Sequence, residues 1–186
     1  FGYDDPATGN YVEVDLSTGG RGTKAGVRVT PKKALTVSIV WSCVKELSES
    51  AAGLPWKLYE DAGGLRQLVR GSSPQRRRLL RLLSKPNPFI KWLDLIKAVV
   101  VNMALRGNAF AIIQRDDDGG WIGLIPVAVD SVRIDTDDGL IYWATINGSE
   151  TPVSPQNMLH FKLFSPDGIA GLSPVEHQAE TIGLAR

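Results

Sequence analysis

Four arginines, Arg76, Arg77, Arg78 and Arg81, are the densest group of side chains able to bind phosphate or carboxylate groups. On a helix, the last three of these arginines share one face, and the neighbouring leucines occupy another. Three interpretations remain open: a solvated outer face, a contact with an acidic protein, or a contact with DNA phosphates. No aromatic residue is interleaved with the arginines, which argues against single-strand binding.

The two histidines, His160 and His177, are the candidates for acid-base chemistry. His160 falls inside a predicted strand and His177 on a predicted helix, next to Glu176. Nucleophilic catalysis needs a base beside the nucleophile, and no G-x-S-x-G sequence surrounds any serine. We therefore predict no catalytic residues, and we expect the protein not to be an enzyme.

Three further sequences resemble ligand-binding loops without meeting their requirements. Gly22-Thr23-Lys24 lacks the G-x-x-x-x-G-K frame and a preceding buried strand, so it does not predict a phosphate loop. Asp116-Asp117-Asp118-Gly119 and Asp135-Thr136-Asp137-Asp138-Gly139 lack the alternating ligands and the closing glutamate of a calcium loop. They are typical of hairpin turns, and we predict no metal and no cofactor.

Charge is nearly balanced over the 186 residues, with 21 Lys and Arg against 20 Asp and Glu, but it is unevenly distributed. Residues 62–93, the basic block, contain no acidic residue, whereas residues 116–150, the acidic block, contain eight acidic residues and Arg133 as their single cation. Contacts between the basic block of one subunit and the acidic block of the next would be head-to-tail, and such contacts can close into rings.

Composition is typical of a globular domain, and the longest apolar run, 98–105, is too short for a membrane span of roughly 20 residues. We expect no membrane partner and no secretory signal. The single cysteine, Cys43, excludes an internal disulfide. Because it lies on the apolar stripe formed by Ile39, Val40, Val44 and Leu47, we expect it to be buried.

An amphipathic helix followed by a hairpin forms the predicted centre of the fold. Apolar residues recur at i, i+3, i+4, i+7, i+8 and i+11 from Trp92 to Met103. Arg106-Gly107-Asn108 ends this helix, with glycine suited to a left-handed conformation. Strands are predicted at 109–113 and at 121–125, where Pro126 ends the second.

Turn and capping residues predict the remaining elements. Before the central unit we predict a helix that starts between Thr30-Pro31 and Ser38 and continues to about Ala52. We also predict a hairpin of strands 54–60 and 65–69, and a helix opened by Ser73-Pro74 that continues through Leu83. After it we predict strands at 131–135, 140–146 and 158–163, with Asn147-Gly148 as a hairpin turn.

Ser173-Pro174-Val175-Glu176 has the pattern of a capping box and opens a last helix. No stop signal precedes Arg186, and the numbering starts at Phe1. We therefore expect that the natural polypeptide continues.

These elements predict an α+β fold with an antiparallel, meander-like sheet and hairpins packed with three to four helices. Residues 1–30 are predicted to be a flexible N-terminal arm that contributes little to a core. Residues 31–172 form the domain, and 173–186 begin the last helix.

Three segments carry a resemblance to a known family. They are WSCVKELSESAAGLPWKLYE (41–60), LSKPNPFIKWLDLIKAVVVNMALRGNAFAIIQRDDDG (83–119) and MLHFKLFSPDGIAGLSPVEHQAETIGLA (158–185). In this order the chain resembles the HK97-type portal proteins of tailed bacteriophages. The combination of PNP, LRGNAF and SPDGIAGLSPVEH is the specific part.

The resemblance implies a structural subunit of the portal ring at a capsid vertex, usually of twelve subunits, that forms the conduit for double-stranded DNA packaging and ejection. It implies docking of terminase and of head-tail connector and capsid proteins, and a location in the virion and, during assembly, in the host bacterial cytoplasm. Residues 31–172 would be the wing domain, and 173–186 the start of a helix leading toward the stem.

A different class of function is also open. In this alternative, the chain is a stand-alone α+β binding module that uses its Arg-rich helix to bind nucleic acid or an acidic protein. Arg76, Arg77, Arg78 and Arg81 would make the contact. The unfinished last helix argues against this alternative.

Overall fold

A computed structural model describes residues 2–4, 11–13, 21–23, 28–71, 73–136 and 139–184. Near the amino terminus, β1 (Gly2–Asp4) pairs with β2 (Tyr11–Glu13), and β3 (Arg21–Gly22) pairs with β4 (Arg28–Val29). Val29 is only 1% exposed and packs in a core with helical residues. Val29, within the segment predicted to be an arm, thus contributes to a core. The rejected phosphate-loop residue Lys24 lies outside the described residues.

Two helices follow, α1 (Pro31–Ala34) and α2 (Ser38–Ala52). Thr30 caps α1 by accepting a hydrogen bond from Lys33 N. Cys43 is exposed, so its predicted burial is wrong. The reason is the orientation of α2 about its own axis. Val44, Ser48 and Ala52 face the protein interior, and the edge of the apolar stripe that contains Cys43 faces solvent.

A hairpin and a short helix lead to the central unit. The predicted hairpin is present as β5 (Tyr59–Ala62) and β6 (Leu65–Leu68), although β5 starts later than predicted. Ser73 Oγ accepts a hydrogen bond from Arg76 N and caps α3 (Pro74–Leu82), as predicted.

The central helix, α4 (Trp92–Arg106), ends at Gly107, whose φ of 76° is left-handed as predicted. It leads into β7 (Asn108–Arg115) and β8 (Trp121–Val127). Pro126 lies inside β8 instead of ending it. This is possible because β8 is an edge strand, where a missing backbone donor breaks no ladder.

Two three-stranded antiparallel sheets confirm the α+β class. The second contains β9 (Val132–Asp135), β10 (Ile141–Ile146) and β11 (Ser149–Val153), in the order β11-β10-β9. The meander order holds for this sheet, whereas β12 (Met158–Lys162) returns to pair with β7, giving β12-β7-β8. β11 was not among the predicted strands, because its sequence SETPV is mostly polar and exposed.

The last helix is present in two pieces, α5 (Pro174–His177) and α6 (Ala179–Leu184), separated by Gln178. Ser173 Oγ caps α5 by accepting from Glu176 N. One apolar core joins the helices, one joins the two sheets, and one lies between α4 and the β7–β8 hairpin. Within the described ranges, no helix combines the length and the apolar character of a bilayer span.

Candidate functional site

The four predicted contact arginines all lie on α3, and two of them pair with carboxylates of the same chain. Arg76 pairs with Glu60 at 2.7 Å, and Arg78 pairs with Asp116. Arg77 is exposed and donates at 3.5 Å to the carbonyl of Gly71. Arg81 is exposed as well. Two of the four guanidinium groups are therefore already bound to carboxylates of the same chain.

The Arg78–Asp116 pair joins the basic block to the acidic block within one molecule. Asp116 opens the β7–β8 turn, where its Oδ1 accepts a hydrogen bond of 2.6 Å from Gly120 N. α3 packs against β8 beside this turn. The two blocks are thus neighbours on one surface at this point. Asp137 and Asp138, which belong to the acidic block, lie outside the described residues.

The two histidines lie in different surroundings. His160 is half-buried on β12, and both of its ring nitrogens face polar partners: Nε2 lies 2.9 Å from Asn108 Oδ1, and Nδ1 lies 3.3 Å from the Tyr142 hydroxyl. His177 is exposed at the end of α5. Among the described residues, no group of three or more His, Cys, Asp or Glu side chains could hold a metal ion.

The proton positions on His160 follow from Asn108. Asn108 Oδ1 also accepts from Gly171 N at 2.7 Å, while its Nδ2 donates to Gly171 O at 2.7 Å, so the amide orientation is determined. His160 Nε2 must then donate to Oδ1, and Nδ1 accepts from Tyr142. Burial, and secondarily the charge of Lys162, lower the pKa of His160 to about 4. Burial also raises the pKa of Tyr142, which keeps its hydroxyl protonated.

The contacts of Asn108 belong to a larger junction between two of the motifs, LRGNAF and SPDGIAGLSP. Gly107 and Gly171 lie so close that a Cβ on Gly107 would be 2.2 Å from Leu172 O, and a Cβ on Gly171 would be 2.2 Å from Gly107 O. Ser173 Oγ donates to Leu105 O at 2.9 Å while it caps α5. The junction therefore connects the end of α4 to the start of the last helix.

Asp167 holds the loop of the SPDG sequence. Its Oδ1 accepts from Ile169 N at 2.7 Å, from Ala170 N at 3.1 Å and from Ser165 Oγ at 2.9 Å. Partial burial alone would raise the pKa of this carboxyl, but the hydrogen bonds outweigh it and lower the pKa. The loop is thus organised around one ionised carboxylate.

The PNP sequence is held in a comparable way by Asn87, which is buried. Its Nδ2 donates to Leu124 O at 2.8 Å, and its Oδ1 accepts from Phe89 N and Ile90 N at 2.9 and 3.1 Å. Leu124 N donates to Pro86 O at 2.8 Å. The loop between α3 and α4 is therefore hydrogen-bonded to both the N–H and the C=O of Leu124 in β8.

Sequence reasoning missed the junction, because Gly107 and Asn108 were interpreted only as a helix stop. One signal could have found it: an asparagine at the start of an otherwise apolar strand needs buried hydrogen-bond partners. The glycine-rich stretch 168–171 was a suitable place for such partners, because glycine allows close backbone approach.

Comparison with known proteins places these features in a family. The family model for phage portal proteins matches residues 38–186. The portal protein of Enterobacteria phage HK97 is 28% identical over 159 residues, covering 84% of this chain and 37% of that protein. The probable portal protein of Streptomyces phage phiC31 is 30% identical over 181 residues, covering 87% of this chain and 36% of that protein.

Solved structures agree in fold. The neck of an empty gene transfer agent (GTA) particle, computed with C6 symmetry, contains a chain with a TM-score of 0.67 and 23% identity, covering 82% of this chain and 41% of that one. An HK97-family phage portal protein from Corynebacterium diphtheriae gives a TM-score of 0.55 at 20% identity, and the match covers 87% of this chain and 45% of that one. The chain spans less than half the length of these relatives. Because the family model matches well over half of it, the chain belongs to the phage portal protein family.

Proposed function

We propose that this chain is a structural, non-catalytic part of a ring at one capsid vertex, through which double-stranded DNA is packaged and ejected. Membership of the portal family over residues 38–186 is the observation that carries this proposal. One solved relative is described as the neck of a native GTA particle computed with C12 symmetry, in agreement with a ring of twelve. The expected partners are identical subunits, terminase, and capsid and head-tail connector proteins. The expected locations are the virion and, during assembly, the host bacterial cytoplasm.

Residues 31–172 would be the wing domain of this subunit, and residues 173–186 would begin the helix toward the stem. The contact that crosses this boundary is made by Ser173, the capping residue of the last helix, whose Oγ donates to Leu105 O in α4 at 2.9 Å. A rigid connection of this kind would pass force or displacement between wing and stem. Residues 1–30 would form the arm.

Microscopy of the protein expressed from its complete gene, combined with mass measurement, tests the ring. We expect closed rings with a central hole and a mass near twelve subunits. Compact monomers at every salt concentration would contradict the proposal. Addition of terminase to the rings tests the docking role, for which a stoichiometric complex is expected.

The alternative of a binding module rests on Arg77 and Arg81, which are exposed and make no carboxylate pair within the described part of the chain. If they bind duplex DNA, affinity should fall steeply with salt, and each phosphate contact contributes a slope of about −0.9 in log K against log salt concentration. Arg77→Ala with Arg81→Ala should then reduce the slope by about 2.

The matched control for this titration is Arg76→Ala with Arg78→Ala, which removes the same charge from guanidinium groups already bound to Glu60 and Asp116. A larger effect of the first pair supports a DNA contact at Arg77 and Arg81. Equal or negligible effects contradict the binding module.

A further inference from the structure

Phe89 is the most exposed large apolar side chain among the described residues, at 93%. It lies in the loop between α3 and α4 and belongs to none of the three cores. An aromatic ring in water contributes nothing to stability, and aromatic residues are enriched among the anchors of protein interfaces. Phe89 therefore needs an explanation outside its own fold.

The backbone that carries Phe89 is ordered by the Asn87 hydrogen bonds. Asn87 Oδ1 accepts from Phe89 N itself, and Asn87 Nδ2 binds the loop to β8. A side chain presented from a rigid loop loses little conformational freedom on binding, which favours affinity. Lys85 and Lys91 are exposed on either side of it. The loop is thus a rigid aromatic knob between two cations.

An apolar groove lies between α2 and the last helix, with a volume of about 370 Å³. Ile39, Cys43 and Leu47 line one wall, and Val175 and Ile182 line the other. Ile39 is 64% exposed and Leu47 57%, so the groove is open to solvent.

Glu46 follows Cys43 by three residues on α2, so helix geometry places it next to the residues that line this groove. It is exposed, and its Oε1 accepts a hydrogen bond of 3.1 Å from Ser50 Oγ. The groove thus has an apolar lining and one exposed carboxylate beside it. The charge of Glu46 is opposite to that of Lys85 and Lys91 in the Phe89 loop.

The knob and the groove lie at opposite ends of α4. The Phe89 loop leads into the first turn of this helix, whereas Ala104, in its last turn, lines the groove. Fifteen residues of helix are about 22 Å long. Phe89 therefore cannot reach the groove of its own chain.

We propose that Phe89 of one copy of this chain seats in the α2 groove of a neighbouring copy, with Lys85 and Lys91 directed toward Glu46. The two surfaces differ and lie at opposite ends of α4, so the contact is head-to-tail, and repeated contacts of this type form a ring when the rotation between copies closes. That the subunits form a ring rests on the proposed function. The inference made here adds which two surfaces of neighbouring subunits would be in contact.

Cys43 provides a direct test, because it lines the groove and is the one cysteine of the chain. Phe89→Cys in the protein expressed from its complete gene should form disulfides with Cys43 of neighbouring copies under mild oxidation, since a disulfide requires the two Cβ atoms to lie about 3.8 Å apart. A ladder of dimers and higher oligomers is expected on a non-reducing gel.

Two matched variants control this cross-link. Adding Cys43→Ser should abolish the ladder, and Leu140→Cys places a thiol on another exposed apolar residue, immediately before β10. A ladder from Phe89→Cys no stronger than that from Leu140→Cys overturns the contact.

Thiol labelling of the unmodified protein and of Phe89→Glu gives an independent measurement. Cys43 should label slowly in assembled protein and rapidly in Phe89→Glu, whose association should weaken at least about tenfold. Protection of Cys43 in both proteins at all concentrations overturns the contact, because another part of the same polypeptide then fills the groove.

The contact and the proposed function fail in different ways. Rings that form without cross-linking leave the proposed function intact and overturn the contact. Protein that never forms rings contradicts the proposed function, whereas a Cys43-dependent cross-link between copies in that protein would still support the contact.

Discussion

Asn108 and Gly171 exchange two hydrogen bonds of 2.7 Å, Nδ2 to carbonyl and N–H to Oδ1, across 63 positions of sequence. The side-chain amide thus replaces a peptide group and pairs with the backbone as a strand would. Asn108 is completely buried, so neither partner can turn to water if the pair is lost. This pair connects the central helix and strand to the last helix.

Replacing Asn108 with Ala should lower the free energy of unfolding by about 2–4 kcal/mol, because the N–H and C=O of Gly171 are left unsatisfied. Urea denaturation measures the change. Asn102→Ala is the control, since Asn102 donates to Ala98 O one turn earlier in its own helix, α4. A loss at Asn108 no larger than that at Asn102 would contradict the importance of the junction.

Gly107→Ala should be strongly destabilising for two reasons. Its φ of 76° costs an L-residue about 1–2 kcal/mol, and the new Cβ would meet Leu172 O at 2.2 Å. Gly119→Ala is a matched control, because Gly119 has a φ of 78° but no neighbouring atom within 4 Å. We expect Gly107→Ala to exceed the control by about 1–3 kcal/mol in thermal or urea denaturation. Equal losses of stability in the two variants would mean that the backbone around Leu172 moves away from the new Cβ at no cost in free energy.

Acidification should weaken the protein through His160. Its pKa is about 4 when folded and about 6.5 when unfolded, so between these values the unfolded chain binds more protons. Stability therefore falls as pH decreases from 6.5 to 4.

His160→Gln retains a donor toward Asn108 and removes the titrating ring, so the slope of unfolding free energy against pH should become shallower in this range. His177→Gln, at an exposed position on α5, is the control for the chemical change from histidine to glutamine. Identical slopes in all three proteins would show that His160 does not titrate on unfolding.

Replacing Asn87 with Ala should loosen the loop that carries Phe89. The amides of Phe89 and Ile90 lose their acceptor, and the carbonyl of Leu124 loses its donor. Hydrogen exchange should increase at Phe89 and Ile90, while amides of α4 beyond its first turn keep their protection. Asn87→Asp retains the acceptor, so exchange at these two amides should increase less than in the Ala variant.

Much of the secondary structure followed from short-range patterns. Ser73 and Ser173 cap the helices that they were predicted to open, and Gly107 ends α4 in the left-handed conformation. Asn147-Gly148 forms the predicted turn with both residues at positive φ. β11 was missed because its polar residues lack the alternation that marks a half-buried strand.

The candidate contact site was less predictable. The arginines were correctly assigned to a helix, but Arg76 and Arg78 are bound to Glu60 and Asp116, which are 16 and 38 residues away. Cys43 lies on the predicted apolar stripe and is nevertheless exposed. A stripe predicts that one face of a helix packs, but not how much of that face a neighbour covers.

Caps, turns and helix stops depend on atoms a few residues apart, so the order of these elements could be read along the chain, and three motifs in that order were enough to suggest the family. The Asn108–Gly171 pair, the division into two sheets and the Arg78–Asp116 bridge depend on which distant segments meet. These long-range contacts form when whole helices and strands pack against one another, and they depend on steric fit together with the hydrogen bonding of buried polar groups. No local pattern in the sequence carries that information.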